Sequence, residues 1–473
     1  MKAHGKLWNL FFGMKKVETE EGEGLGELYR SLLIVAWPAA LEGMLVSLMN
    51  SFDTMMVGKL GAAAIAAVGL CGQPRMILLL VAQALCVGTT SVIARRKGEG
   101  RQDAANSCLK QSLLIITLLG VVMIAAGYFL ATPFLKLAGA NAETLPDAVI
   151  YFRITSLAFL ANCWALCICA AQRGVGKTRI TMVTNMCANV VNIVLNYCLI
   201  NGHFGFPALG VKGAAIATAI GTCVSFVVAL FMVLGKKGYL SILGVGSWKF
   251  DKETLAGLVK VGGGSIAESV FLRVGFLINA RLVADVGTTA FATHQVVQQV
   301  TGLSFTLGDG VSSACTALVG QALGAKKYKR ALAQVKVADR VCIYMSAALI
   351  AFIFFTRDLL PRLFSDEAEI IAGAALSFIV VCFGIVPQNK RVVFSGCLRG
   401  AGDVKFVAMI SLLSVAILRP ALTWFFCYPM NRWIPAWGFG FTGPWLSFGI
   451  DAYVRAFLLT RRINKGEWVN IRL

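Results

Sequence analysis

Long apolar stretches recur along the whole chain and are separated by short polar segments. Stretches of about 18 or more apolar residues are typical of helices that cross a membrane. Twelve such helices are predicted, at residues 30–57, 64–93, 108–131, 147–170, 180–200, 210–235, 256–284, 290–320, 335–356, 369–396, 405–428 and 440–460. The pattern therefore predicts an all-α integral membrane protein.

Composition supports this prediction and excludes a soluble protein. Hydrophobic residues make up 57% of the 473 residues, charged residues only 14%, and the mean hydropathy is +0.73. A soluble domain carries about 25% charged residues and cannot bury so much apolar surface.

The net charge of +20 is distributed in a way that favours a membrane over a nucleic acid. Alternate loops hold most of the basic residues, whereas the loops between them hold few. The basic loops contain Arg95, Arg96, Lys97, Arg101, Arg173, Lys177, Arg179, Lys236, Lys237, Lys249, Lys252, Lys326, Lys327, Lys329, Arg330, Arg399, Lys405, Arg461, Arg462 and Lys465. This positive-inside pattern predicts a multi-pass protein of the plasma (inner) membrane with both termini in the cytoplasm, and no nucleic-acid partner.

The two halves of the chain are related by an offset of 226 residues. Glu42 falls on Glu268, and the RGVGKTR at 173–179 falls on the RGAGDVK at 399–405. Since each half holds six helices, both halves have the same orientation, which predicts two six-helix lobes in a parallel pseudo-twofold repeat. The predicted parts are a cytoplasmic tail (1–27), the N-lobe (28–235), a cytoplasmic linker (236–255), the C-lobe (256–460) and a second cytoplasmic tail (461–473).

The first predicted helix carries two acids and a proline. Glu42 and Asp53 are 11 residues apart, a spacing that returns to nearly the same helix face. An acid in the membrane is costly and normally faces the protein interior with a function, although an acid near a helix end can simply lie at the surface. Pro38 removes one backbone hydrogen bond and permits a bend.

Four asparagines form a stripe on one face of the fifth helix. They are Asn185, Asn189, Asn192 and Asn196, at spacings of 4, 3 and 4. The stripe either bonds helix to helix or faces Asp53 and builds a polar pocket, to which Thr218 of the sixth helix could add a hydroxyl. The equivalent C-lobe positions are Ser411, Val415, Leu418 and Leu422, which places the main ion site in the N-lobe.

The C-lobe contains many intramembrane charges, and unpaired charges at depth are expensive. Glu268 and Arg391 form one candidate pair, although Arg391 could also extend to the membrane interface. The other charges are Arg273, Arg281, Asp309, Lys390, Arg419 and Asp451, whose pairs the sequence does not assign.

Sequence motifs do not favour an enzyme or a channel. The 14 cysteines lie mostly in apolar segments without metal-ligand spacing, so they are interpreted as small hydrophobic residues. Gly176, Lys177 and Thr178 end a nucleotide-loop motif, but Ala171 stands where its first glycine should be. Repeated selectivity elements are missing too. No metal site and no cofactor other than a coupling ion is therefore expected.

Several motifs together resemble the multidrug and toxic compound extrusion (MATE) family, of prokaryotic type. They are the WPAALE…DTMMVGKLG opening, NIVLN, GFPALGVKGAAIAT, LVGQALGA, the paired RGxG loops and the GPWLSFGI…RRINKGEW ending, which span about 28–470. The resemblance implies two six-helix lobes that export lipophilic or cationic compounds against a proton or sodium gradient.

The resemblance also implies roles for particular residues. Asp53 matches the family's first-helix acid, Pro38 matches its bend proline, and Asn192, Thr218 and Asn162 match its polar partners. Two positions depart from the family pattern. Asn196 stands where many members carry a second aspartate, and Gln388 stands where some members carry the aspartate of a C-lobe site that would include Glu268.

The sequence therefore predicts a secondary active multidrug transporter that works by alternating access. The coupling ion is a proton or sodium, and the loss of the second acid favours the proton. Asp53, Asn162, Asn192, Asn196 and Thr218 would form the cation-coupling site. Glu42, Glu268, Gln388 and Arg391 are candidates for a second site. The substrate would be a small amphiphile, and a monomer in the lipid bilayer is expected. The alternative is a flippase for lipid-linked or other anionic amphiphiles, with the basic C-lobe residues holding a phosphate.

Overall fold

The computed structural model describes residues 24–58, 60–235, 238–427 and 442–471, and these ranges contain helices and loops but no strand. The predicted N-terminal tail lies outside them as far as residue 23. The helices are α1 Leu25–Gly58, α2 Ala62–Gly98, α3 Gln102–Phe129, α4 Ala131–Leu137, α5 Leu145–Leu157, α6 Phe159–Val175, α7 Thr178–Asn201, α8 Gly210–Leu234, α9 Lys252–Val286, α10 Thr288–Gly324, α11 Tyr328–Thr356, α12 Ala368–Ala401, α13 Val404–Ser411, α14 Arg419–Cys427 and α15 Gly443–Lys465.

The helices account for the twelve predicted spans, with two breaks that the sequence did not predict. Within the described ranges nine helices are long and apolar enough to cross a membrane, and the pair α5–α6, bent by 51°, makes a tenth. The predicted span 147–170 is therefore two helices that meet at Ala158. A π-helical turn, Leu412–Leu418, connects α13 to α14 within another span. The long helices α10 and α15 complete the twelve.

Glycines stand at the C-terminal ends of several helices. Helices α2 and α10 end at Gly98 and Gly324, a few residues beyond the predicted spans. The two RGxG loops turn at Gly176 and Gly402, whose φ angles of 85° and 89° lie in the left-handed region that favours glycine. Helix α15 continues past the predicted boundary at 460 because its left-handed C-cap is Gly466, so the segment 461–473 begins inside a helix.

The repeat predicted from the sequence recurs in the side-chain contacts. The Thr90 hydroxyl donates to the Ala170 carbonyl at 2.9 Å, and the Thr316 hydroxyl donates to the Gly396 carbonyl at 2.9 Å. Each partner in the second bond is 226 residues beyond its counterpart in the first. The same helix–helix contact is therefore built twice.

The described chain forms two compact units. The N-unit is Leu41–Gly263, and the C-unit is Gly264–Leu473 together with Met1–Ala40. Helix α1 passes from the C-unit to the N-unit two residues after Pro38, and α9 passes from the N-unit to the C-unit within the glycine run 262–264. The predicted lobes, 28–235 and 256–460, differ from these units at two places. Residues 28–40 of α1 belong to the C-unit, and residues 256–263 of α9 belong to the N-unit.

The beginning of α1 belongs to the C-unit and the beginning of α9 to the N-unit because each packs into the core of that unit. In the C-unit, Leu28 and Leu32 are buried in one cluster with Val311 and Ala314 of α10. In the N-unit, Leu258 of α9 is buried among residues of α2, α3 and α6. Small residues permit this approach, because a Cβ on Gly88 would lie 3.1 Å from the Leu258 carbonyl oxygen.

The described part of the predicted linker is bound to α3 along one side. Lys110 Nζ donates to the carbonyls of Gly244 and Gly246 at 3.0 and 2.9 Å, and Gln111 Nε2 donates to the Lys249 carbonyl at 2.7 Å. Buried amine and amide groups need such partners. The bonds fix the loop that leads into α9.

Candidate functional site

A polar cavity of about 540 Å³ lies within the N-unit. Residues from α1, α2, α5, α6, α7 and α8 line it. Four of the five predicted coupling residues are among them, namely Asp53, Asn162, Asn192 and Thr218. The fifth, Asn196, is almost fully buried and contacts Asp53 directly. The structure therefore brings together the residues that the sequence selected.

Asp53 receives hydrogen bonds from two amides. Asn196 Nδ2 donates to Asp53 Oδ1 at 2.8 Å. The Asn192 amide lies 2.8 and 3.2 Å from the two Asp53 oxygens, so its nitrogen faces the carboxylate and donates to it. Amide N–H groups stabilise the charged form of a carboxylate. Asp53 is thus held by the side chains of α7.

The asparagine stripe divides between the two acids of α1. Its C-terminal half, Asn192 and Asn196, bonds to Asp53, whereas Asn185 Nδ2 donates to Glu42 Oε1 at 2.6 Å. Asn189 lines the cavity between them. The Thr218 hydroxyl donates to its own helix, to the Ala214 carbonyl at 2.9 Å, while also lining the cavity.

Arg75 and Tyr151 are among the residues that line the N-unit cavity and that sequence reasoning did not select. Arg75 lies in α2 immediately after Pro74, and Tyr151 lies in α5. An arginine next to a proline inside a long apolar segment was the available signal for Arg75. Tyr151 gave no signal, because a single tyrosine in an apolar helix is ordinary.

Glu42 belongs to a different cluster from the other second-site candidates. Thr181 donates to its carboxylate at 2.7 Å, and Arg173 Nη1 lies 3.6 Å from Oε1. These residues are in the N-unit, whereas Glu268, Gln388 and Arg391 are in the C-unit.

The candidate pair of Glu268 with Arg391 is wrong. Glu268 pairs instead with Arg399, whose Nη2 and Nε lie 2.8 and 3.2 Å from the two carboxylate oxygens. The repeat explains this, since the pair is the counterpart of Glu42 with Arg173, 226 residues earlier. Arg391 Nε instead donates to Gln388 Oε1 at 3.2 Å.

Three of the other C-lobe charges, Lys390, Arg419 and Asp451, lie in two buried groups, whereas Arg281 pairs with Asp285 at the surface. Asp451 accepts bonds from Arg419 and Arg455, the latter at 2.6 Å, and from the Ser414 hydroxyl of the π-helical turn. Lys390 pairs with Asp339, with Nζ 3.0 Å from Oδ1. Neither Asp339 nor Arg455 was selected from the sequence.

A second cavity, of about 550 Å³, lies within the C-unit. Its charged lining residues are Glu268, Asp309, Arg391 and Arg399. Gln388 is 2% exposed and lies behind Arg391 rather than in the lining. In the part of the chain that the structure describes, no group of three or more His, Cys, Asp or Glu side chains is placed to hold a metal ion.

Comparison with known proteins places the chain in a family. Residues 38–198 and 265–425, together more than half of the chain, match the sequence model of the MatE family. The chain belongs to the MatE family. The two matched segments coincide with the two repeats. With its many apolar helices, this MatE protein is a multi-pass membrane transporter.

Relatives cover nearly the whole of this MatE chain. It is 26% identical to the uncharacterized transporter YisQ of Bacillus subtilis strain 168, over 93% of this chain and 95% of YisQ. It is 26% identical to a probable multidrug resistance protein NorM of Thermotoga maritima, over 94% of each chain. A crystal structure of MATE in the bent conformation superposes with a TM-score of 0.84 at 22% identity, over 95% of this chain and 99% of that chain, and shows the shared fold.

Proposed function

We propose that this MatE transporter exports small amphiphilic compounds by proton antiport. The observation that supports this most is the N-unit cavity, in which a single acid, Asp53, is held by two asparagine amides. The name of the Thermotoga maritima relative, a probable multidrug resistance protein, supports export of drug-like molecules.

The chemistry around Asp53 supports a proton over sodium as the coupling ion. A sodium ion needs several oxygen ligands, and the two amides that contact the Asp53 carboxylate turn their N–H groups rather than their oxygens towards it. Asn196 supplies an N–H where a second aspartate would supply a carboxylate. A proton needs only Asp53 itself, so loss of the second acid leaves proton exchange possible.

Protonation of Asp53 would change its bonding to the asparagines of α7. A charged carboxylate accepts both amide bonds, whereas the protonated acid donates one bond and holds the amides more weakly. Helix α1 carries this change towards Pro38, where its hydrogen-bond ladder is interrupted. Two arrangements of α1 would then couple proton uptake to substrate release in an alternating-access cycle.

The positive-inside pattern supports a cytoplasmic location for both termini. The basic RGxG loops and the linker would face the cytoplasm. The coupling gradient would then run inward while the substrate moves outward.

Transport by the purified protein in liposomes tests the proposal. A fluorescent lipophilic cation is supplied, and either a proton gradient or a sodium gradient is imposed. We expect movement driven by the proton gradient alone, and loss of that movement in Asp53→Asn. Movement driven only by sodium would refute the proton assignment. Indifference to both gradients, together with movement of a lipid-linked anion, would favour a flippase.

A further inference from the structure

The C-unit cavity contains two charged groups that have no ion-pair partner within the described residues. Of its four charged lining residues, Glu268 and Arg399 neutralise each other through two hydrogen bonds of 2.8 and 3.2 Å. Arg391 and Asp309 remain. Neither has an oppositely charged side chain within 4.0 Å in the ranges that the structure covers.

Arg391 is fixed in place by a buried neutral group. Its Nε donates to Gln388 Oε1 at 3.2 Å, and Gln388 is itself 2% exposed. A neutral amide orients a guanidinium without cancelling its charge. The remaining guanidinium nitrogens offer a planar donor pair of the kind that binds a carboxylate.

Asp309 is an exposed side chain that lines the same cavity. Its helix, α10, packs closely on α12 at this level, because a Cβ on Gly308 would lie 3.2 Å from Asn389 Oδ1 and 3.5 Å from a methyl carbon of Val392. Gly308 precedes Asp309, and Val392 follows Arg391. The two unpaired charges therefore occupy neighbouring positions on two packed helices, yet are farther apart than an ion pair.

A buried cluster of charges next to the cavity lining favours a ligand with an acid group near Arg391. Arg419 stacks over Phe276, a lining residue, with 5.4 Å between the guanidinium carbon and the ring centre. Arg419 and Arg455 share one carboxylate, that of Asp451, so this buried group has one positive charge in excess. Arg455 Nε and Nη1 are buried without a hydrogen-bond partner in the described part of the chain.

The rest of the lining is apolar or neutral. Phe276 and Phe305 provide aromatic walls. Gln295, Gln298 and Gln299 of α10 line the cavity with amides that can both donate and accept. A ligand in this cavity would meet an arginine, an aspartate, aromatic rings and neutral amides.

We propose that the C-unit cavity binds a zwitterionic amphiphile, with the acid group of the ligand on Arg391 and its ammonium group on Asp309. Such a ligand neutralises both unpaired charges at once, whereas a simple cation leaves Arg391 unpaired and repelled, and a simple anion does the same to Asp309. The inference rests on the proposed transport function and adds the substrate class.

Equilibrium binding to the purified full chain in detergent tests this without any gradient. Three probes share one fluorescent aromatic amino acid: the free zwitterion, its methyl ester, which is only a cation, and its N-acetyl form, which is only an anion. Fluorescence anisotropy gives each Kd. We expect the zwitterion to bind about tenfold more tightly than either derivative, equivalent to about 1.4 kcal/mol.

The variants assign each preference to one residue. Arg391→Gln should abolish the preference for the acid over the ester, and Asp309→Asn should abolish the preference for the amine over its acetyl form. Matched controls are Arg281→Gln and Asp285→Asn. They alter a surface pair with side chains 81% and 47% exposed and should leave all three Kd values unchanged. Arg391→Lys, which keeps the charge, should retain the preference for the acid.

Two outcomes would overturn the inference. If the ester binds wild type as tightly as the zwitterion, Arg391 and Asp309 satisfy each other through water. If the N-acetyl form binds most tightly, the site takes a simple anion. Failure of the proton-antiport proposal would look different, since it would change gradient-driven transport and its dependence on Asp53 while leaving this binding preference intact.

Discussion

Replacing Asn196 by aspartate should create a sodium site beside Asp53. In the structure Asn196 Nδ2 lies 2.8 Å from Asp53 Oδ1. The substitution Asn196→Asp exchanges that amide donor for a second carboxylate with almost no change in volume. Two acid groups would then share one location at the cavity wall.

The magnitude follows from the separation of the two carboxylates. Two like charges about 4 Å apart repel by about 4 kcal/mol at an effective dielectric constant of about 20. A cation between them relieves this repulsion, so its affinity should rise by up to about three orders of magnitude, since about 1.4 kcal/mol is a factor of ten. Sodium at about 100 times its Kd would stabilise the folded protein by about 2.7 kcal/mol.

Thermal unfolding in detergent at mildly alkaline pH measures this gain. Each protein is heated in sodium chloride and in choline chloride of equal ionic strength. We expect wild type to show the same Tm in both salts and Asn196→Asp to show a Tm about 5–10 °C higher in sodium, taking about 2–4 °C per kcal/mol for a unit of this size.

Asn189→Asp is the matched control. It adds the same charge to the same helix and lines the same cavity, without a contact to Asp53 among the described residues. If Asn189→Asp gains as much sodium stabilisation as Asn196→Asp, or if wild type is already stabilised by sodium, the reasoning about Asn196 is refuted.

Three further predictions concern stability and use the same unfolding measurement. Gly174→Ala and Gly400→Ala should each cost about 1–3 kcal/mol, because the new Cβ would lie 2.6 and 2.4 Å from a threonine carbonyl oxygen, whereas Gly263→Ala meets nothing within 4 Å and should cost nothing. Asp451→Asn should cost about 3–5 kcal/mol, because two buried arginines lose their carboxylate. Asp251→Ala should cost about 0.5 kcal/mol, because its exposed carboxylate accepts the backbone N–H of residue 254 at the start of α9. That hydrogen bond lowers the pKa of Asp251, so the contribution should be present above about pH 4, the value for an unfolded aspartate, and be lost as the pH falls below it.

Distinct results would contradict each of these three. A Gly263→Ala protein as unstable as the other two glycine variants would show that any added methyl group is harmful. An Asp451→Asn protein as stable as wild type would mean that its arginines have other partners. An Asp251→Ala protein with an unchanged pH profile would remove the helix-start interaction from the account.

The helices and the repeat were predictable from the sequence because a membrane helix satisfies its own backbone. Hydropathy therefore locates the spans, and the 226-residue offset between the RGxG loops is visible without a structure. The break at Ala158 was not predictable, because no proline or glycine marks it. The assignment of the start of α1 to the C-unit depends on packing between residues nearly 300 positions apart, such as Leu28 with Val311.

The N-unit cavity was predicted in part because its residues have helical spacing on one face. Asn192 and Asn196 follow such a spacing on α7, and the structure brings both into contact with Asp53 of α1. The ion-pair partners of the C-lobe could not be predicted from spacing along one helix, because they depend on how different helices cross. Glu268 pairs with Arg399 rather than Arg391 because the crossing of α9 and α12 decides which arginine is within reach. The repeat could have corrected this, since Glu42 and Arg173 are the equivalent residues.

The central claim is that Asp53 carries the coupling proton. The most direct test is accumulation of a fluorescent lipophilic cation in proteoliposomes under an imposed pH gradient, comparing wild type with Asp53→Asn and with Asn189→Asp, which keeps Asp53. Equal incorporation of the three proteins is verified first. We expect accumulation by wild type that collapses when the pH gradient is dissipated, and no accumulation above protein-free liposomes by Asp53→Asn. Accumulation by Asp53→Asn that still follows the pH gradient would contradict this claim.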